Sequence, residues 1–248
     1  MSFDPALSWA FLTALAAGVT RGFSGFGGAL IFVPLVSAAF GPQVAAPSLL
    51  VIDTVLTLPF LVPALRACLW PQVAPLAVGA VVMVPLGVWV LKHLDPLLLR
   101  WSLAALSLGL LALLVSGWRH SGRQNLPTTL GVGAVAGFFG GAAQMSGPAV
   151  VAYWLGSGQP SALVRANLFG FFALVTLASG TTYIANGMMT AEVGRLVLLL
   201  GPAYAIGLYA GARAFRGASA RAYRIAAYWV IAAAALLSLP LFDALLGR

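Results

Sequence analysis

Six stretches of this 248-residue chain are apolar for long enough to cross a lipid bilayer as a helix. A crossing takes about 20 apolar residues, because a helix rises about 1.5 Å per residue and the hydrocarbon core is about 30 Å thick. Each predicted span is bounded by Pro, Gly or a charged residue, and the spans are 44–65, 71–91, 97–118, 163–185, 192–212 and 222–245. The pattern predicts an all-α, polytopic helical membrane protein.

Composition excludes a soluble domain. The chain is 61% hydrophobic and 7% charged, with a mean hydropathy of +1.00, whereas soluble domains average about 25% charged residues. The net charge of +8 does not indicate nucleic-acid binding, because the 13 Lys and Arg residues stand singly between apolar stretches. The sequence also lacks the carboxylate, serine-base, histidine and cysteine arrangements of enzymes and metal sites, and Cys68 is its single cysteine. We therefore expect no enzyme, no metal, no cofactor and no nucleic-acid partner.

Two further apolar segments, 6–40 and 128–157, are too long for one crossing and contain clusters of glycine. As a single helix, the segment 6–40 would extend for about 50 Å. Each segment is therefore predicted to break and fold back as a hairpin of short helices. The predicted breaks lie in 21–28 and 140–148.

The two halves of the chain match each other at one constant offset. The aligned glycines are Gly18 with Gly137, Gly22 with Gly141 and Gly28 with Gly147. Each half contains one hairpin followed by three transmembrane helices. Whether the hairpin spans the membrane or dips in and returns, the number of crossings is odd, and this would place the second half upside down relative to the first. We predict one transporter domain over 1–248, built from two inverted repeats at about 6–118 and 128–245.

The helix breaks are the predicted binding site. A break inside the membrane exposes backbone groups that only protein or a polar cavity can satisfy. The N-terminus of the following short helix presents N–H donors and the positive end of a dipole, which suits an anion. Pro148 fits the first turn of such a helix, where a missing N–H costs nothing. The residues predicted to bind the anion are Arg21, Gly25, Gly27, Gly28, Gln144, Ser146, Gly147 and Pro148.

Small residues at a spacing of four also let membrane helices pack closely. Helix packing is the favoured interpretation for the glycines that recur at this spacing, which are Gly18, Gly22, Gly133, Gly137, Gly141, Gly207 and Gly211. Glycines that cluster at a break, such as Gly27 and Gly28, are open to both interpretations.

Two charged residues lie within apolar segments. Arg21 is predicted to contact the anion, since a charge inside a membrane costs several kcal/mol and is retained for a partner or a substrate. The alternative is that Arg21 lies at the cytoplasmic surface. Asp53 either pairs with Arg21, carries a coupled proton or is capped by neighbouring hydroxyls. The aligned positions of the second half are Gly140 and Phe172, which carry no charge.

Thr57, Arg165 and Asn167 are predicted to line the transport pathway. Each of the first two has a simpler explanation as well. A threonine commonly bonds back to its own helix, and an arginine at the start of a span commonly anchors it at the membrane interface.

These motifs resemble those of the TauE/SafE family of sulfite exporter-like membrane transporters. The matching residues run from Ala17-Gly18 through Gly22, Gly25 and Gly27-Gly28 to Val33-Pro34, and from Gly137 to Ser146-Gly147-Pro148. Ala29 stands where the family pattern often has a third glycine, and the resemblance assigns no role to Arg21. The resemblance implies a carrier of sulfur-containing anions, such as sulfite or an organosulfonate, in the plasma (inner) membrane.

We therefore predict a secondary transporter that binds a small anion at the broken-helix glycine motifs near the bilayer midplane and works by rocking one half against the other. The alternatives are an anion channel on the same fold and a non-transporting assembly or sensory subunit. Lys and Arg are more frequent in the loops that are cytoplasmic if both termini lie outside, so we predict that orientation. The expected partners are a small anionic substrate and membrane lipids, and the sequence is compatible with a homo-oligomer.

Overall fold

The computed structural model describes residues 5–117, 125–155, 159–214 and 220–242, and the regular structure in these ranges is helical. This confirms the predicted all-α fold. The helices are α1 (Pro5–Ser24), α2 (Gly28–Phe40), α3 (Pro42–Ala67), α4 (Trp70–His93), α5 (Pro96–Val115), α6 (Leu126–Ala143), α7 (Gly147–Leu155), α8 (Ser161–Ala185), α9 (Ala191–Ala214) and α10 (Ala220–Leu237), followed by a 3₁₀ turn (Pro240–Phe242).

Within the described residues, six helical stretches are long and apolar enough to cross a membrane, and they are Pro42–Pro59, Trp70–His93, Pro96–Val115, Leu126–Ala143, Leu163–Ala185 and Ala191–Arg213. Five of them coincide with predicted spans, and Leu126–Ala143 is the first arm of the predicted second hairpin. The predicted span 222–245 corresponds to α10, whose described apolar part, Tyr228–Leu237, is shorter. Residues 118, 156–157 and 243–245 of the predicted segments lie outside the described residues.

Large apolar side chains cover the outer faces of these helices. Leu198 exposes 78% of its surface, Trp229 73% and Val82 69%. Apolar surface on this scale is unfavourable in water and is typical of a face that meets lipid. The chain is therefore a multi-pass membrane protein.

Both predicted helix breaks are confirmed. The first separates α1 from α2 between Ser24 and Gly28, and the second separates α6 from α7 between Ala143 and Gly147. With 13 residues, α2 is about 20 Å long, and α7, with 9 residues, is about 14 Å long. Neither could cross a hydrocarbon core of about 30 Å.

The chain divides into two compact units. The first consists of Met1–Ile52, Leu94–Ala112 and Met189–Arg248, and the second of Asp53–His93 and Leu113–Met188. Each unit contains helices from both predicted repeats: α1 packs along α9 in the first unit, and α6 packs along α4 in the second. This exchange of helices between the two halves was not predicted from the sequence.

Glycines bring the backbones of these helix pairs into direct contact. In the first unit, a Cβ atom on Gly18 would overlap the carbonyl oxygen of Tyr204, and one on Gly22 would overlap that of Leu208. Gly207 and Gly211 meet carbonyl oxygens of α1 in the same way. The packing interpretation of the glycines at four-residue spacing therefore holds here.

The second unit has the equivalent contact between α6 and α4. A side chain on Gly133, Gly137 or Gly141 would overlap the carbonyl oxygens of Leu76, Ala80 and Val84, respectively. Gly79 and Gly87 on α4 meet carbonyl oxygens of α6 in return. The backbones of α4 and α6 are therefore too close at these glycines to leave room for a methyl group.

We expect Gly137→Ala to destabilise the protein by about 1–3 kcal/mol, because the added methyl group forces α6 away from Ala80. Gly131→Ala is the matched control on the same helix, since no atom lies within 4 Å of a Cβ at that position. The control is expected to melt at or slightly above the wild-type temperature, because alanine favours a helix over glycine. Tryptophan fluorescence during heating in detergent measures both, and equal melting of the two variants would contradict the packing argument.

Candidate functional site

The first break consists of three residues between α1 and α2, and two of them require glycine. Gly25 has φ of 75° and Gly27 has φ of 92°, in the left-handed region that other residues rarely adopt. Gly27 is the N-cap of α2, and its carbonyl accepts the N–H of Leu30. The N–H groups of Gly28 and Ala29 lie in the first turn of α2, before this first bond. No carbonyl of the same helix is in position to accept them.

Arg21 lies in the last turn of α1 and its side chain is half-buried. Its Nη1 atom donates to the carbonyl oxygen of Gly25, and the Gly25 N–H donates back to the Arg21 carbonyl at 2.9 Å. A cation at a helix C-terminus opposes the negative end of the dipole. Arg21 and Gly25 therefore form a helix cap that was not predicted from the sequence, and their predicted contact with the anion stays a prediction.

Tyr204 on α9 lies against the start of α2. Its hydroxyl oxygen is 2.7 Å from the position that a Cβ atom on Gly28 would take, and its side chain is 1% exposed. Phe32 packs edge-on against the Tyr204 ring, with 6.3 Å between the centroids. Tyr204 was missed from the sequence, although a tyrosine well inside a span signals a hydroxyl that needs a polar neighbour.

The second break begins at Gln144, which has φ of 58° and caps α6. Its side-chain nitrogen donates to the carbonyl of Gly140 at 3.0 Å and to the hydroxyl of Tyr183 at 3.2 Å. The Tyr183 hydroxyl in turn donates to the carbonyl of Gly141 at 2.7 Å. The amide hydrogens of Gln144 thus hold the end of α6 against α8.

The other predicted residues of the second break are buried between helices. Ser146 is 6% exposed, Gly147 begins α7, and Pro148 occupies the first turn of that helix. A Cβ atom on Gly140 would lie 3.4 Å from the Cβ of Ser146 and 3.0 Å from a methyl group of Val175. The break is therefore bounded by the last turn of α6 and by one face of α8.

Asp53 and Thr57 are half-buried on α3, where the Thr57 hydroxyl donates to the backbone carbonyl of Asp53 at 2.7 Å. This is the bond back to the same helix that was expected as the simpler role of the threonine. The roles predicted for Asp53 stay predictions.

Asn167 is completely buried near the start of α8. Its side-chain oxygen accepts the N–H of Leu69 at 2.8 Å, and its nitrogen donates to the side-chain oxygen of Gln72 at 3.1 Å. Gln159 donates to the same Gln72 oxygen at 2.9 Å. The side-chain amide of Asn167 therefore links α8 to the turn between α3 and α4 by hydrogen bonds. This structural role was not predicted from the sequence.

Arg165, two residues earlier, is exposed, and its guanidinium carbon lies 5.9 Å from the centre of the Phe169 ring. This placement fits the simpler explanation of Arg165 as an anchor at the membrane interface. In the part of the chain that the structure describes, no three His, Cys, Asp or Glu side chains are grouped so that they could hold a metal ion.

Apolar helices that begin at glycine-rich breaks recur in membrane transporters. The model of the family described as "Sulfite exporter TauE/SafE" matches residues 10–238. The chain therefore belongs to this family and is a membrane transporter, as the glycine motifs predicted. No curated protein and no solved structure matches it.

We expect Asn167→Ala to lower stability by about 1–3 kcal/mol, because it leaves the Leu69 N–H and the Gln72 side chain without this buried partner. Arg165→Ala on the same turn should change the melting temperature little, since its side chain is exposed. Thermal unfolding followed by tryptophan fluorescence compares the two. The structural role would be wrong if Asn167→Ala melted like the wild type.

Cys68 provides a test of the packing at the turn between α3 and α4. Its thiol is 7% exposed and donates to the Leu65 carbonyl at 3.4 Å, and burial raises the pKa of the thiol above its ordinary value. Since only the thiolate reacts, a raised pKa means less reactive thiol at any pH below it. Iodoacetamide should therefore label the folded protein much more slowly than the unfolded protein at about pH 8. Equal rates by mass spectrometry would show that the turn is open.

Proposed function

We propose that this protein is a secondary transporter of a small anion, and that the anion belongs to the sulfur oxyanions, such as sulfite or an organosulfonate. The observation that carries this proposal is that α2 and α7 each begin at a glycine beside a helix break, at Gly28 and Gly147. The family supports transport, and the two helix starts support a negative substrate.

A dehydrated anion needs donors that replace its hydration shell. The first amides of a helix supply such donors, and the aligned peptide dipoles add about half a positive charge at that end. The open space at this break lies at Gly25, where no atom is within 4 Å of a Cβ position, while the Tyr204 hydroxyl occupies the Gly28 side, 2.7 Å from the Cβ position there. Ser146 and Gly147 give α7 an equivalent start, where Pro148 contributes no N–H.

Arg21 adds a full positive charge at the first break, where its bond to Gly25 fixes the guanidinium. We propose that this charge raises the affinity for the anion. Asp53 is the proposed proton site or charge partner, because a carboxylate in an apolar span is costly unless it has such a role. Both proposals can be tested by substituting Arg21 and Asp53.

We also propose the inverted repeat and the orientation with both termini outside the plasma (inner) membrane. The glycines Gly22 and Gly141, which align with each other, both meet carbonyl oxygens of a helix from the other half of the chain, at Leu208 and Val84. This equivalence supports a duplication, and the distribution of Lys and Arg supports the orientation.

Anion flux into liposomes that contain the purified protein tests the proposal. A carrier gives saturable uptake that a proton gradient can drive uphill, whereas a channel on the same fold gives non-saturating, downhill flux only. An assembly or sensory subunit would transport none of sulfite, methanesulfonate, sulfate and acetate. Thermal stabilisation by the same four anions measures binding independently of flux.

We expect Arg21→Gln to weaken anion binding about tenfold or more, because a hydrogen bond or ion contact to a charged ligand is lost. Arg195→Gln is the matched control, since Arg195 is exposed on α9. Affinity is read from the concentration dependence of the melting temperature, which separates binding from any loss of stability at the Gly25 cap. Equal affinity of Arg21→Gln and wild type would remove Arg21 from the binding site.

A further inference from the structure

Ser179 on α8 carries a hydroxyl that is buried without a bond. Its side chain is 0% exposed, and its Oγ atom has no hydrogen-bond partner in the described part of the chain. Helical hydroxyls normally donate to the carbonyl four residues earlier, as Thr182 does to Ala178 at 2.7 Å. A buried polar group without a partner is unfavourable and calls for an explanation.

Helix geometry places Ser179 on the face of α8 that meets the second break. Residues four apart share a helix face, so Ser179 lies between Val175 and Tyr183. A methyl group of Val175 lies 3.0 Å from the position that a Cβ atom on Gly140 would take. The Tyr183 hydroxyl donates to the carbonyl of Gly141. The last turn of α6 therefore lies against the face of α8 that carries Ser179.

We propose that the Ser179 hydroxyl donates a hydrogen bond to the transported oxyanion at the second break. The proposal rests on the proposed function and adds to it a binding residue on α8. Ser179 would act together with the Ser146 hydroxyl and the first amide of α7, so the second break binds its oxyanion through neutral donors alone. An oxyanion with several oxygens can accept from α7 and α8 at once.

A bound cation is the competing explanation for an unpaired hydroxyl beside the end of a helix. The carbonyls of Phe139, Gly140 and Gly141 already accept bonds from Met145, Gln144 and Tyr183, respectively, which makes them weaker ligands for a cation. The α7 side of the break instead presents N–H groups, which attract negative charge. The chemistry of the break therefore favours an oxyanion.

Ser179→Ala and Ser48→Ala, purified in detergent, test the proposal. Ser48 is the matched control because it is also 0% exposed, and its hydroxyl bonds the Val44 carbonyl at 2.8 Å. The probe is methanesulfonate, titrated while the melting temperature is followed by tryptophan fluorescence. We expect Ser179→Ala to melt no lower than wild type without the probe, and to bind methanesulfonate about tenfold or more weakly. Ser48→Ala should keep the wild-type affinity.

One result would overturn the inference and another would overturn its basis. Unchanged affinity in Ser179→Ala refutes the role in binding. A lower melting temperature with unchanged affinity would further show that Ser179 is structural. If wild type and Ser48→Ala both fail to bind methanesulfonate, sulfite, sulfate and acetate, the proposed function itself is wrong. Binding by the wild type therefore distinguishes failure of the inference from failure of the function.

Discussion

A polar backbone cannot be left unsatisfied inside hydrocarbon, and this constraint governs both the packing and the site of this protein. Most of the chain obeys it by forming long helices, whose internal bonds satisfy their own N–H and C=O groups. At the two breaks the helices are interrupted, and there Arg21 and Gln144 bond the carbonyls of Gly25 and Gly140 beside the ends of α1 and α6. Side chains thus bond a carbonyl at each break, while the amide ends of α2 and α7 are the ones that suit an anion.

The fold was largely predictable because it depends on apolar length and on glycine, both of which can be read from the sequence. Five spans and both breaks followed from these two features. The pairing of α1 with α9 and of α4 with α6 could not be predicted, since glycines such as Gly18 and Gly137 show that a helix packs closely but not which helix it meets. Partner choice depends on tertiary contacts that one sequence does not display.

The candidate site was predictable at the level of the backbone and less so at the level of side chains. Gly27, Gly28 and Gly147 lie at helix starts, as their sequence pattern indicates. Polar side chains were harder, because one amide can bind a substrate or a neighbouring helix with the same atoms, and Gln144 and Asn167 do the latter. Tyr204 and Ser179 lie on helices with no unusual pattern, and only their buried environment distinguishes them.

The exchange of helices between the two halves has a consequence for how the protein is made. α1 is synthesised near the start of the chain, whereas α9, against which it packs, comes close to the end. During translation α1 therefore cannot take up its place against α9 until the helices α2–α8, which lie between them in the chain, have been synthesised as well. Such long-range pairing is slow to form and exposes the nascent chain to misassembly.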